Sequence, residues 1–142
     1  MIDFDVVVVH LKAQVDPDSR ERRRLACVAL EEWVTQRLAQ STEQDLMVLG
    51  DFNDALLDPP EVNVFTSFLD KPGDYQFLSL DAEQAGDFSY IPFEAMIDHV
   101  MVTTDMVAEV GDGDTEVLTL NKSVVSYSEI SDHRPVRTWL HW

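Results

Sequence analysis

Polar residues capable of acid–base and metal chemistry stand at the ends of several apolar segments of this sequence. They are His10, Asp51, Asn53, Asp98, Asp132 and His133. The carboxylates suit a hard cation, the amide can donate to a phosphoryl oxygen, and a histidine beside an acid can serve as a general base. Metal-assisted phosphoryl transfer to water needs these parts: a cation on the phosphate oxygens, a base for the water and donors for the developing charge.

Each of these residues also has an ordinary structural interpretation. Asp51 and Asn53 follow Gly50 and could form a β-turn through hydrogen bonds to their own backbone. A single histidine at a strand end, such as His10, is more often structural than catalytic, and Asp98 could be a turn former. The occurrence of such groups at several strand ends is what favours a shared site.

Two apolar runs and one helix between them should position these groups. Residues 6–9 and 46–49 are apolar without alternation, which is typical of strands buried on both faces. A helix is predicted over residues 19–40, with Asp18 or Ser19 as its N-cap. The order strand, helix, strand predicts a right-handed β-α-β unit. The apolar stripe of the helix comprises Ala26, Leu30, Trp33 and Val34, with Cys27 and Leu38 on its flank.

The later part of the chain is predicted to form short elements. A short helix is expected over residues 61–69. Short strands are expected at residues 76–80, 87–91, 97–103, 115–120 and 124–127, followed by a last strand that begins near Pro135 and runs to Trp142. The predicted fold class is therefore α/β, a mixed β-sheet with helices on one face, in a single domain spanning residues 1–142.

The charge of the chain limits its partners. It has 10 basic and 27 acidic residues and a net charge of −17, so tight nonspecific binding to nucleic acid is disfavoured. Arg20, Arg22, Arg23 and Arg24 form a basic cluster that could face a phosphate. A solvated helix face with intrahelical ion pairs is the favoured interpretation, although Arg23 falls near the apolar stripe.

Composition excludes some classes of protein and leaves the compartment open. A hydrophobic content of 45% is enough for a core and too high for a disordered chain. No apolar segment reaches the length of a membrane span, and no signal peptide is recognisable. The single cysteine, Cys27, cannot form an internal disulfide, so localisation is undetermined.

Four segments, in this order and approximate spacing, resemble motifs of the endonuclease/exonuclease/phosphatase superfamily. They are VHLKA at residues 9–13, LGDFND at residues 49–54, IDHVMV at residues 97–102 and SDHRPV at residues 131–136. The resemblance is greatest to bacterial members. It implies a metal-dependent hydrolase of phosphoester bonds, of the phosphodiesterase, nuclease or phosphatase type.

The resemblance also implies roles for the residues. His133 would be the general base that activates water, and Asp98 would orient it and stabilise its protonated form. Asp132 and Asp51 would bind the metal, which would be Mg²⁺ or Mn²⁺.

The remaining roles concern the substrate. Asp51 and Asn53 would position the nucleophile and stabilise the phosphoryl group, and His10 would contact the phosphate or assist the leaving oxygen. His99 follows Asp98 on a strand and points to the opposite face, so it is interpreted as structural.

The sequence departs from the family pattern because the N-terminal half of the family, with its metal-binding glutamate, has no counterpart before His10. The chain is therefore expected to be a partial domain, half of a four-layer α/β/β/α sandwich, that binds its metal weakly. The alternative function is a non-catalytic association module with a relic active site. The expected partners are a phosphoester and, on the exposed face of the sheet, a second copy of the chain in a homodimer or the missing N-terminal half.

Overall fold

The computed structural model describes residues 3–111, 113–119 and 127–141. Its elements in chain order are β1 (Asp5–His10), α1 (Pro17–Ala39), β2 (Leu46–Asp51), α2 (Thr66–Leu69), β3 (Tyr75–Phe77), α3 (Leu80–Gln84), a 3₁₀ helix (Ile91–Phe93), β4 (Asp98–Thr103), α4 (Thr104–Val110), β5 (Asp114–Val117), α5 (Tyr127–Ile130) and β6 (Val136–Trp139). None of the helices in these ranges is long and apolar enough to cross a membrane.

A mixed sheet with the strand order β1-β2-β4-β3 forms the centre of the fold. β1 and β2 are parallel and are connected through α1, as the sequence predicts. β4 runs antiparallel to both β2 and β3. β5 and β6 form a separate antiparallel pair. The fold is therefore α/β with a mixed sheet, as expected.

The first face of the sheet packs against α1 and α2 in the main hydrophobic core. Leu46, Val48 and Met101 of the sheet are fully buried there, together with Cys27 and Val34 of α1. This core also contains four phenylalanines, namely Phe52, Phe65, Phe68 and Phe77. Successive strand residues point to opposite faces, so their neighbours in sequence lie on the second face.

The second face of the sheet is only partly covered. α4, which the sequence analysis did not predict, adds Met106 to a smaller core, and Leu140 near the C-terminus packs there as well. On β1, however, Val6 is 51% exposed and Val8 is 72% exposed. The prediction that residues 6–9 are buried on both faces is therefore wrong for β1, because no described element covers these two valines.

The start and the stripe of α1 differ from the predictions. Asp16 is the N-cap, because its carboxylate accepts a hydrogen bond from the backbone N–H of Ser19 and Pro17 occupies the first turn. Cys27 and Val34 lie at the centre of the buried stripe, whereas Trp33 is 47% exposed. The helix itself and its approximate bounds agree with the prediction.

The predicted helix at residues 61–69 is reduced to the single turn of α2. The side chain of Asn63 donates to the carbonyl oxygens of Leu56 and Asp58 and accepts from the N–H of Phe65. An asparagine that satisfies backbone groups in this way stabilises a turn in place of a helix.

Two of the predicted short strands also differ in the structure. Residues 87–91 form no strand. Tyr90 makes isolated bridges, and the chain enters the 3₁₀ helix at Ile91, with Pro92 in the first turn. The strand predicted at residues 76–80 ends at Phe77, and the chain turns into α3 at Leu80. The predicted strand at residues 124–127 and Trp142 lie outside the described residues, apart from Tyr127, which begins α5.

His99 is a structural residue, as its position on β4 indicated. Its ring is 1% exposed and packs edge-on to Phe65 and Phe77 on the first face. Its nitrogens bind Ser79 Oγ at 3.0 Å and the carbonyl oxygen of Asp54 at 2.9 Å. Burial lowers the pKa of His99 to about 4, so the ring is neutral at physiological pH.

We expect the low pKa of His99 to make the protein less stable in acid. A pKa that is lowered on folding stabilises the folded state above the unfolded value of 6.5, and this contribution is lost as the pH falls toward 4. From pH 7 to pH 4.5 the expected loss is about 2 kcal/mol. Asp45, whose pKa burial raises to about 6, has the opposite effect, so the contribution of His99 has to be isolated by comparison.

Urea unfolding of the wild-type protein and of His99→Gln at several pH values provides this comparison. Glutamine can replace both hydrogen bonds but does not titrate. The wild-type protein should lose more stability than the variant below pH 6.5. Parallel pH profiles for the two proteins would contradict the assignment.

Candidate active site

A row of three side chains crosses one end of the sheet on its second face. Strand register pairs His10 with Asp51 and Asp51 with Asp98, so all three side chains point the same way. Nε2 of His10 lies 3.5 Å from Oδ2 of Asp51. The sequence placed these residues at three separate strand ends, and the register brings them together.

His133 reaches this row from the segment before β6. Its Nδ1 lies 2.7 Å from Oδ2 of Asp98, and its Nε2 lies 3.9 Å from Oδ2 of Asp51. An ionised carboxylate only accepts hydrogen bonds, so the bond to Asp98 places the proton on Nδ1 and leaves the lone pair on Nε2. The ring of Tyr90 packs beside the imidazole, with 5.1 Å between ring centroids. The predicted histidine–acid pair is therefore present in a geometry that suits a general base.

The backbone around Ser89 holds this pair in place. Ser89 Oγ accepts hydrogen bonds from the N–H groups of Ile97 and Asp98, at the start of β4. The carbonyl oxygen of Ser89 accepts a 2.7 Å bond from the N–H of Arg134. Ser89 is fully buried and therefore links the segments that carry Asp98 and His133. The sequence analysis gave no role to Ser89 or Tyr90, although both lie close before the Asp98 motif.

A tight turn after β2 orients Asp51 and Asn53. Gly50 has φ +135°, and an added Cβ would lie 2.0 Å from the carbonyl oxygen of Val9, so only glycine fits this position. Oδ1 of Asp51 accepts from the N–H of Asn53 at 2.8 Å. The amide of Asn53 donates to the carbonyl oxygen of Leu11 at 3.1 Å. The turn interpretation is therefore confirmed, and the turn directs the carboxylate of Asp51 toward the row.

The carboxylate of Asp51 is in an environment that favours a cation. Burial raises its pKa, and the neighbouring Asp98 raises it further, while the hydrogen bond from Asn53 and the two histidines act in the opposite direction. Removing negative charge from this row, either by a proton or by a cation, is therefore favourable.

One group of possible metal ligands is found among the described residues. A carboxylate oxygen of Asp51, one of Asp98 and a ring nitrogen of His133 lie within 4.8 Å of one another. Asp132 is exposed and is not part of this group. Its backbone oxygen accepts from the N–H of Ile91, which fixes the backbone beside His133.

Arg23 connects the loops that follow β1 and β2. It is 2% exposed, and its Nε donates to Oδ2 of Asp54 at 2.8 Å. Its Nη1 donates to the carbonyl oxygens of Lys12 and Gln14 at 2.8 and 2.6 Å. The expected solvated basic face is therefore wrong for Arg23. The signal for this role was the position of an arginine close to the buried stripe of α1.

We expect Arg23 to be essential for stability. Arg23→Met leaves the buried carboxylate of Asp54 without its partner, and such a loss costs about 3–5 kcal/mol. The matched control is Arg24→Met, since Arg24 pairs with Glu21 on the surface of the same helix and with no other residue in the part of the chain that the structure describes. Urea unfolding should show a large effect for the first variant and a small one for the second.

A double variant shows whether Arg23→Met destabilises the protein by breaking the ion pair or because position 23 tolerates no substitution. Arg23→Met combined with Asp54→Leu removes both buried charges and should recover part of the lost stability. Equal effects of Arg23→Met and Arg24→Met would contradict the structural role of Arg23.

Comparison with solved structures identifies the architecture. Truncated TDP2 from Caenorhabditis elegans matches with a TM-score of 0.65 at 12% identity, covering 96% of this chain and 54% of that chain. Neisseria 3' phosphatase NExo, solved with a product DNA hairpin, matches with a TM-score of 0.67 at 21% identity over 96% of this chain and 61% of that chain.

An endonuclease/exonuclease/phosphatase family protein from Bacteroides thetaiotaomicron matches with a TM-score of 0.62 at 18% identity, over 95% of this chain and 47% of that chain. Neither a family model nor the sequence of a curated protein matches the chain. The chain spans about half the length of the solved structures it matches. It shares the fold of these structures, one of which is an endonuclease/exonuclease/phosphatase family protein.

Proposed function

We propose that the chain carries the general base and part of the metal site of a metal-dependent phosphoesterase. The observation that carries this proposal is the His133–Asp98 pair, joined at 2.7 Å, with Nε2 of the imidazole directed toward Asp51 at 3.9 Å. A base, a carboxylate that orients it and a second acid in front of it are the parts that hydrolysis of a phosphoester requires.

In the proposed mechanism, His133 takes a proton from the attacking water at Nε2. Asp98 holds the ring in the required tautomer and stabilises the imidazolium that forms. His10 is exposed beside Asp51, so it is free to contact a phosphate oxygen or the leaving group. Asn53 holds the backbone of the turn and keeps Asp51 facing the row.

A divalent cation would be held by Asp51, and we propose Asp132 as the second ligand, although its exposed side chain lies outside the group of Asp51, Asp98 and His133. The bound cation would neutralise charge on the phosphate oxygens. Asp98 is a weaker choice of ligand because its Oδ2 is bonded to His133. Two carboxylates leave most positions of a hard cation to water, which Mg²⁺ retains readily. We therefore propose weak binding of Mg²⁺ or Mn²⁺.

The solved neighbours support a phosphoester substrate and do not name it for this chain. One is a mannosyl-6-phosphatase from Bacteroides thetaiotaomicron, with a TM-score of 0.63 at 18% identity, and NExo is a 3' phosphatase. The net charge of −17 disfavours a long polyanion held by charge alone. A small phosphoester is consistent with both observations.

We expect metal-dependent hydrolysis of simple phosphate esters to depend on His133. His133→Ala should lower the rate about 100-fold or more, because general-base catalysis contributes about 10²–10⁴-fold. The matched control is His141→Ala, since His141 is exposed and faces Asp114, away from the row. A panel of phosphomonoesters and phosphodiesters, assayed with Mg²⁺ or Mn²⁺ and again after chelation, provides the measurement.

Two results of this assay would refute the assignment of the base. One is equal turnover by His133→Ala and by His141→Ala. The other is turnover that persists at the same rate after the metal is chelated. If His133→Ala lacks activity while its thermal unfolding matches that of the wild-type protein, the loss is chemical.

Association is the second candidate function, and the open second face of the sheet supports it. Val6, Val8 and Phe4 are exposed there, beside a cavity of about 570 Å³ lined mainly by Met47, Leu49 and other apolar residues. This face continues directly to the Asp51–Asp98 row. About half of each solved chain lies outside the match, so further polypeptide is available in those proteins to cover the equivalent surface.

We propose that a second copy of the chain covers this face and forms a homodimer. Charge repulsion between two chains of −17 opposes association, so added salt should strengthen the dimer. Val8→Asp should weaken it, whereas Leu25→Asp is the matched control, since Leu25 is 52% exposed on α1.

Light scattering after size exclusion at two salt concentrations measures this association. A monomer at high protein concentration under both conditions would exclude the dimer. Equal effects of Val8→Asp and Leu25→Asp would exclude the second face as the interface.

A further inference from the structure

A second cavity opens beside the catalytic row, on the side away from the open sheet face. It has a volume of about 430 Å³, and Asn53, Tyr90, Phe93 and Arg20 are among the residues that line it. Asn53 belongs to the turn that aims Asp51, and Tyr90 packs on His133. A group attached to a phosphate at the row could therefore extend into this cavity. The volume lies in the range of about 300–1,000 Å³ that is usual for small-molecule sites.

Two aromatic side chains, Tyr90 and Phe93, form a continuous row from His133, the proposed base, to this cavity. The ring of Phe93 lies 5.7 Å from that of Tyr90, which in turn lies 5.1 Å from the ring of His133. Phe93 is nevertheless 75% exposed, although burial of a phenylalanine is strongly favourable. A large aromatic ring at the rim of a cavity next to a catalytic pair has the form of a stacking surface.

The backbone around Phe93 holds the ring in this position. Phe93 ends the 3₁₀ helix, and Glu94 follows in the left-handed region with φ +50°. The chain then returns to pair Ala95 with Tyr90 through backbone hydrogen bonds. A left-handed residue other than glycine is strained, so this hairpin-like turn is maintained by its surroundings.

The cavity wall also includes Arg20, a cationic side chain with several N–H donors. Nε of Arg20 is buried and has no hydrogen-bond partner among the residues that the structure describes. Such a donor is unfavourable unless an acceptor reaches it. The neighbouring Arg23 differs, because its charge is paired with Asp54. Nε itself has almost no exposed surface, so a bound group would accept from the other N–H groups of Arg20, which lines the cavity together with Asp58.

We propose that this cavity binds a planar, nucleobase-like ring carried by a small phosphoester. The proposal rests on the proposed function, because the phosphate would lie at the Asp51–His133 row. Stacking on Phe93 and a hydrogen bond from Arg20 would recognise the ring. The net charge of −17 disfavours long nucleic acids, so a ligand of mononucleotide size is favoured over a strand.

Binding measurements with two phosphate esters test this proposal without requiring turnover. The probes are adenosine 5'-monophosphate and ribose 5-phosphate, which share the sugar and the phosphate and differ in the ring. Calorimetry in the presence of Mg²⁺ should show tighter binding of the nucleotide. Phe93→Ala should lower the nucleotide affinity at least about fivefold and leave the affinity for ribose 5-phosphate unchanged.

Three further variants separate stacking from other effects. Phe93→Trp retains an aromatic surface and should preserve the preference for the nucleotide. Arg20→Met should weaken nucleotide binding, and Phe4→Ala, which removes an exposed ring on the other face of the sheet, should not.

The proposal is overturned if the wild-type protein binds the two probes equally or binds neither. It is also overturned if Phe93→Ala leaves nucleotide binding unchanged. Failure of the proposed function has a different signature, in which the preference for the nucleotide remains while no phosphate ester is hydrolysed.

Discussion

Strand register is the constraint on which the site of this protein depends. Hydrogen bonding places His10, Asp51 and Asp98 side by side on three adjacent strands. Side chains alternate along a strand, so a shift of one residue in β2 would turn Asp51 toward the helices and away from both partners. The buried residues Leu46 and Val48 prevent this shift, because it would expose them on the second face. Core packing and site assembly are therefore specified by the same pairing.

The loops that follow β1 and β2 depend on the buried guanidinium of Arg23 in a comparable way. Gln14 and Asn53 both have positive φ angles, at +91° and +56°, which is unfavourable for residues other than glycine. Hydrogen bonds from Arg23 reach the carbonyl oxygen of Gln14 and the side chain of Asp54, immediately next to Asn53. The interior ion pair thus holds two strained segments in the geometry that the row requires.

Local sequence patterns predicted which strands and helices form better than they predicted the contacts that these elements make. The parallel β1–α1–β2 unit followed from apolar runs, whereas the pairing of His133 with Asp98 was implied by the resemblance of the motifs to a known family. Whether a strand face is covered depends on distant residues, so the exposure of Val8 could not be read from its apolar neighbours. The turn at Asn63 and the hydrogen bonds of Arg23 were not predicted for the same reason. Each side chain bonds to groups that come near it only in the folded chain.

Cys27 has a consequence beyond packing. It is the single cysteine of the chain, it is fully buried between α1 and the sheet, and burial raises the pKa of its thiol to about 12. A thiolate is the form that reacts with oxidants and alkylating reagents, so the folded protein should be inert toward both. Chemical labelling of this residue can proceed only when α1 separates from the sheet. The rate of labelling therefore reports the opening of the same interface that holds Arg23, without an introduced probe.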